Sequence, residues 1–242
     1  MNRRMPMWLG WSLALATIAL FCGLGQWQLG RAKQKEAMLA ASQKVLTERR
    51  PLPLSSAADA ARALEYDWTA GEGRFLSGPA VLLDNQIREG RVGVRAYRAF
   101  QPAEGVPLLV ELGWLPVPGD RRLPEVVLPG GTQALQGLLV PPPSAGISRA
   151  APVRQATGSL LATGLDLESL AAALTLPTLA PRVLKLDPQL PLGYARDLDI
   201  LPNTLPPERH LGYAVQWFGL ALAVLVTAVV LTLRVRMRQD RQ

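Results

Sequence analysis

The sequence predicts an α+β membrane protein in which two transmembrane helices flank one antiparallel, β-rich extracytoplasmic domain with a few helices. Three observations carry this. No charged residue occurs from Met5 to Gly30 or from Leu211 to Leu233, runs of about 39 and 35 Å as helix, each long enough to cross a bilayer. Between them the apolar residues fall into short runs cut by Gly and Pro, which is the grammar of strands and turns. The 242 residues are 49% apolar and 19% charged, a composition that excludes a disordered chain.

The first segment, 1–30, is read as a cytoplasmic tail and the first span. Arg3 and Arg4 would also suit the basic start of a signal peptide, but the apolar run exceeds the about 7 to 15 residues of such a segment, so a retained anchor is expected. A lipoprotein site at Cys22 would need a small residue before it, and Phe21 stands there. As the single cysteine, Cys22 excludes an internal disulfide or a CxxC pair and reads as an apolar packing residue. Trp8, Trp11, Trp27, Tyr213 and Trp217 fall near the ends of the spans, as interfacial belts do.

Residues 31–210 form the extracytoplasmic domain. Met38, Leu39, Ala41, Val45 and Leu46 continue the first span as a helix over 31–50 until Pro51 and Pro53 end it. After an Ala-rich segment around Ser55–Leu64, strands are predicted near Tyr66–Leu76, Ala80–Ile87, Val92–Phe100, Pro107–Leu115, Gln133–Val140 and Arg182–Leu186. Glu89-Gly90 and Glu104-Gly105 mark the turns of an antiparallel meander. Asp84-Asn85 reads as a strand end or turn, and Arg91, Arg95 and Arg98 as a solvated strand face. Pro141 to Pro143 with the Ser, Ala and Gly that follow make a loop. Asp166 is placed to cap a helix whose Leu167, Leu170, Ala171 and Leu174 share one face. Five prolines from Pro188 to Pro207 predict an extended surface segment. Residues 211–242 are the second span and a basic cytoplasmic tail.

Charge sets the orientation and narrows the partners. Lys and Arg total 26 against 19 Asp and Glu, a formal +7 that would ordinarily suggest nucleic acid. Most of the excess lies in the two tails, through Arg3, Arg4, Arg234, Arg236, Arg238 and Arg241 against Asp240. The stretch between is close to neutral, so membrane lipid is the expected partner and nucleic acid is not. Two spans put both tails on one side, and their arginines favour the cytoplasm. Arg31, Lys33, Lys35 and Lys44 pull the other way, but a loop of about 180 residues translocates largely regardless of its charge. The expectation is a multi-pass protein of the cell inner membrane with its main domain in the periplasm.

The polar residues at the span ends are the candidate site. Trp27 and Arg31 lie four residues apart on one helical face, where an interfacial anchor accounts for them without any ligand. A sharper reading notes His210, Tyr213 and Trp217 at i, i+3 and i+7 at the same membrane depth, with Arg209 beside them. If the helix ends pack through Gly25 and Gly30, an imidazole, three aromatic rings and two arginines gather at one rim. That suits a flat, anionic amphiphile such as a haem, with His210 as the metal ligand. Catalysis has little to work with: the sole histidine, His210, would be the only imidazole base, and no GxSxG, P-loop or GxGxxG element follows a strand. The chain is therefore expected not to be an enzyme.

The same residues carry a resemblance to the surfeit-locus (SURF) family of cytochrome c oxidase assembly factors. Leu24 to Arg31 resembles the family's LGxWQxxR element, with Gly25, Trp27, Gln28 and Arg31 in place. Leu82-Leu83-Asp84-Asn85, then Gly93, Tyr97 and Pro102, then Leu108 to Pro116 are similar to its strand, glycine-loop and LVxxGWxP succession. His210 to Phe218 resembles its HLxYAxQW element. Glu111-Leu112 stands where the family usually has Asn-Arg, and Arg209 where Asn is common. The resemblance implies a non-catalytic membrane factor that works with cytochrome c oxidase subunit I and other oxidase assembly factors, around insertion of haem a at the outer face of the membrane. It makes His210 the natural ligand candidate; Trp27, Arg31, Arg209, Tyr213 and Trp217 are the residues that packing of the helix ends would place around such a cofactor. The alternative is a membrane-tethered scaffold that stabilises an assembly intermediate without binding haem.

Overall fold

The computed structural model describes residues 6–127, 129–143, 150–201 and 204–239. The expected basic start at Arg3 and Arg4, the end of the basic tail at Asp240 and Arg241, and the Ser, Ala and Gly of the loop after Pro143 lie outside the described residues. The chain divides into two compact units, Met1–Ala40 with Thr204–Gln242, and Ala41–Asn203.

The first unit is built on two helices, α1 (Met7–Glu48, whose last residues enter the second unit) and α3 (Pro207–Gln239). Both are long and apolar enough to cross a membrane. α1 runs unbroken past Gly30, as the apolar spacing after the span predicts, and stops where Arg49 takes φ 42° before Pro51. The least exposed positions of α1 include Trp11, Ala14, Ile18, Phe21, Gly25, Gln28, Ala32 and Lys35. On α3 they are His210, Ala214, Trp217, Ala221, Val224 and Ala228. Both rows alternate steps of three and four, the repeat that keeps one stripe of a helix against a partner. The pair is antiparallel: Trp11 Nε1 donates to Thr232 Oγ1 at 3.0 Å at one end, and His210 meets Gln28 at the other. Cys22, read from the sequence as a packing residue, is exposed because it lies off this stripe.

The second unit is a nine-stranded sheet. Its strands are β1 (Leu52–Pro53), β2 (Asp67–Phe75), β3 (Val81–Arg88), β4 (Arg91–Pro102), β5 (Leu108–Pro116), β6 (Thr132–Val140), β7 (Val153–Arg154), β8 (Leu160–Ala162) and β9 (Val183–Leu186). Short 3-10 turns follow β1, and a helix α2 (Leu167–Ala173) precedes β9. β3, β4 and β5 form the expected antiparallel meander. In the first hairpin Glu89 and Gly90 have φ 51° and 73°, the doubly left-handed turn whose twist matches that of the strands.

The sheet is mixed, which corrects the expectation of an antiparallel one. β1 runs parallel to β2, β8 to β3, and β9 to β5. β9 slots between β5 and β6 after a long excursion through α2, and a connection of that length permits parallel pairing where a tight turn does not. Because β2 pairs with both β6 and β4, the order β2-β6-β9-β5-β4 closes on itself. Phe100, Leu108, Val110, Leu112, Leu135, Leu139, Leu184 and Leu186 belong to one buried cluster.

Three local readings also change. Asp84-Asn85 is neither a strand end nor a turn but a bulge within β3, with Asn85 at φ 55° and the register shifting between Leu83 and Gln86. Asp166 precedes α2, yet its carboxylate accepts from the Ser169 hydroxyl at 2.7 Å rather than from a backbone N–H. The proline-rich segment is not merely extended over the surface. Tyr194 N donates to Leu112 O and Trp114 N to Ala195 O, both at 2.7 Å. Arg196 ties its own loop by donating to the carbonyls of Asp187, Leu190 and Tyr194. Gly113 makes this approach possible: it sits at φ 125°, and a Cβ there would lie 2.8 Å from the carbonyl oxygens of Tyr194 and Ala195.

Candidate functional site

In the helix pair, the buried side chain that invites chemistry is His210. Its Nδ1 lies 2.7 Å from Gln28 Oε1. With that oxygen as acceptor, Nδ1 carries the proton and Nε2 keeps its lone pair. Nε2 is buried and has no hydrogen-bond partner among the described residues. An imidazole fixed in one tautomer by its far nitrogen is how histidine is prepared for a metal. It also leaves a buried acceptor unsatisfied, at a cost of about 1–3 kcal/mol. Lys35, buried one heptad beyond Gln28, donates to the Leu205 carbonyl just ahead of α3.

The structure brings together only part of the predicted rim. His210 and Trp217 share the packed stripe, and Trp217 meets Phe21 with ring centroids 5.5 Å apart and 37° between planes. Tyr213 does not join them, and at 39% exposure it lies around the helix, where Ala214 takes the packed position instead. A stripe repeating at i, i+4 and i+7 from His210 passes through Ala214 and leaves i+3 to its side. Trp27 is exposed on the flank of α1. Arg31 is also exposed and donates to Gln34 Oε1 at 2.8 Å, and Arg209 is exposed on α3. Gly25 does admit close approach, since a Cβ there would lie 2.7 Å from Phe218 Cζ, whereas a Cβ at Gly30 would meet nothing within 4 Å. The sequence reading placed Gln28 in a motif without a role. Only the pairing of two helices far apart in the chain makes it the partner of His210.

The donor chemistry fits a haem iron: one neutral imidazole nitrogen, oriented and unpaired. Its access is closed in this arrangement, because Nε2 has no exposed surface. Side chains around it must move before a ligand reaches it.

The second unit holds a charge centre that sequence reasoning missed. Glu111 of β5 is buried, and its carboxylate accepts from Arg95, from Lys185 Nζ at 3.0 and 3.2 Å, and from Tyr97 Oη at 3.2 Å. Strand register creates the cluster, for Glu111 lies opposite Tyr97 on β4 and beside Lys185 on β9. Burial alone would raise the Glu111 carboxyl, but the Lys185 and Arg95 charges outweigh it and hold the group below the usual carboxylate range. Burial, reinforced by the Glu111 charge, pushes the Tyr97 phenol well up. Arg95 is thus not part of a solvated face. Arg98 is half-buried, and of the three arginines read that way only Arg91 is exposed, with its guanidinium 6.0 Å from the Trp114 ring centroid. A second buried set joins Asp67 to Arg62 and to the fully buried Arg182.

Comparison with known proteins gives a consistent picture. Residues 15–222 match the SURF1 family. The chain is similar to a SURF1-like protein of Rickettsia felis, with 26% identity over 231 residues covering 90% of this chain and 94% of that protein. A SURF1-like protein of Rickettsia conorii is also 26% identical, with 90% and 89% covered. The cytochrome oxidase assembly protein SHY1 of Saccharomyces cerevisiae is 30% identical over 141 residues, 56% of this chain but 36% of that longer protein.

Proposed function

Because this chain belongs to the SURF1 family, we propose that it is a membrane-held, non-enzymatic factor in the assembly of a cytochrome oxidase. The name of the yeast relative supports the assembly role, and the two long apolar helices support the membrane setting. The finer reading is assistance with haem a insertion into subunit I at the outer face, from an inner membrane in which the sheet domain lies outside the cytoplasm. The observation that carries it is the His210 imidazole, with Nδ1 engaged by Gln28 and Nε2 unpaired. Haem a would offer an iron that needs an axial nitrogen. His210 would hold that iron, Gln28 would orient the ring, and Arg31 and Arg209, exposed on the two helices, would donate charge-assisted hydrogen bonds to the propionates.

The scaffold reading draws on a different observation. Nε2 is shielded from solvent, so the Gln28–His210 bond can serve purely to register the helices. The two separate on purification of the full chain from cells that make haem a. Haem ligation requires a visible haem spectrum that His210→Ala abolishes at normal protein level. Replacement of Arg31 or Arg209 should weaken retention less and leave the ligand spectrum unchanged. Unaltered haem content in His210→Ala rules out the ligand role and leaves the scaffold.

A further inference from the structure

The second unit carries a cationic pocket that is separate from the helix-pair site. It is a cavity of about 430 Å³ lined by Arg74, Phe75, Leu76, Ser77, Arg98 and Pro129. Arg74 stands near the end of β2, exposed, and makes no ion pair with any described residue. Arg98, on β4, is half-buried and also lacks a carboxylate partner among the described residues. Its Nη1 donates to Gly78 O at 2.5 Å and its Nη2 to Leu76 O at 3.5 Å, which fixes the guanidinium against the 76–78 loop. Its Nε is shielded from water with no acceptor. Elsewhere in this unit the buried cations Arg95, Lys185 and Arg182 each face a carboxylate. Arg98 faces only carbonyls, as Arg196 does, but it lines this cavity, and burial depresses its guanidinium pKa.

We propose that this pocket binds the phosphate group of a phosphomonoester. Two arginines without carboxylates present close to two positive charges, which match a phosphomonoester's charge of about −1.5 to −2 better than one carboxylate's −1. The guanidinium fork suits phosphate oxygens, and the Ser77 hydroxyl adds a donor. The cavity exceeds a bare phosphate ion, and Phe75, Leu76 and Pro129 give the surplus an apolar wall. The ligand is therefore a phosphate carried on an apolar or aromatic body, either a lipid headgroup or a soluble ester.

Titration calorimetry on the full chain in detergent, with phenyl phosphate, inorganic phosphate and benzoate as probes, tests this. Phenyl phosphate should bind saturably and more tightly than either of the others. Arg74→Gln, at an exposed position that leaves the fold untouched, should weaken it by about tenfold or more, consistent with loss of one charge-assisted contact. Arg98→Lys, which keeps the charge and loses the fork, should weaken it as well. Arg121→Gln and Arg122→Gln, exposed arginines outside the pocket, should not. Displacement of phenyl phosphate by micelles doped with phosphatidic acid, but not with phosphatidylcholine, assigns a lipid headgroup. Displacement by glycerol phosphate alone assigns a soluble ester. No saturable binding at millimolar probe, benzoate binding as tight as phenyl phosphate, or an affinity unmoved by Arg74→Gln overturns the proposal.

Discussion

Removing the charge of Glu111 tests whether its buried cluster is a balanced unit. Glu111→Gln keeps the shape and leaves Arg95 and Lys185, each about 4% exposed, without their shared anion. Breaking a buried pair in this way costs about 3–5 kcal/mol, because the remaining charge stays buried and unpaired. Asp197 moderates the loss: despite its own burial, which would raise it, the Lys185 and Arg95 charges hold its carboxyl down, so it still feels both cations. The lower end, about 3 kcal/mol, is therefore expected, equivalent to about 6–12 °C in Tm for a unit of this size. Denaturant unfolding of the full chain in detergent, followed by tryptophan fluorescence, reads it, since Trp114 lies on β5 with Glu111 and Trp68 on β2 of the same sheet. Replacing the cluster together, Glu111→Leu with Arg95→Met and Lys185→Met, should recover much of the loss, short of the cost of leaving the buried Tyr97 hydroxyl without its acceptor. A loss below about 1 kcal/mol in Glu111→Gln, or a triple variant as unstable as the single one, refutes the reasoning.

Acid stability should follow from the same groups. Burial would raise the Asp67 carboxyl, but its bonds to Arg62 and Arg182 outweigh that, so Asp67 and Glu111 are both held down in the folded state. Their contribution is complete above the unfolded carboxylate values near about pH 4 and is lost as pH falls through the lower folded values. Unfolding free energy measured from pH 7 downward should drop in that window, less steeply in Glu111→Gln, and an unchanged slope would contradict the assignment. In the helix pair, Gly25→Leu should push α1 from α3 because its Cβ would sit 2.7 Å from Phe218 Cζ. Bis-maleimide cross-linking between Trp11→Cys and Thr232→Cys, with Cys22→Ser, should fall, and Phe218→Ala should restore it. For orientation, a periplasm-dependent reporter fused after Gly130 should be active and one after Gln242 inactive, and the reverse pattern would sink the proposed topology.

Much of the fold was legible because it depends on local chemistry. A long apolar helix is a property of its own charge-free run, and the strands from Asp67 to Val140 are properties of apolar runs bounded by Gly and Pro. The minor strands β1, β7 and β8 were not foreseen, for two or three residues held only by a neighbour's ladder carry no periodicity of their own. Parts of the candidate site were legible for a similar reason. A lone histidine at the start of an apolar helix stands out without any knowledge of what it faces. Glu111, Arg95 and Lys185 were readable in principle, each being a charge set inside an apolar strand run, which demands a partner.

The partner itself lies beyond local sequence. Which strand sits beside Glu111 depends on β9 inserting between β5 and β6, a choice made by packing across more than seventy residues of chain. The hydrogen bond from His210 to Gln28 spans 182 positions, and the displacement of Tyr213 from that face follows from the pitch at which two helices pack rather than from the spacing within one. By itself the sequence determined the two long apolar helices, the principal strands and the meander, because backbone hydrogen bonding and apolar periodicity act over a few residues. Only the tertiary structure decided the mixed ladder, the closed ring of strands, and which buried charge and which imidazole nitrogen is satisfied. Those depend on distances between residues that the chain order leaves free, and burial makes each unmatched polar atom costly enough to select among the arrangements.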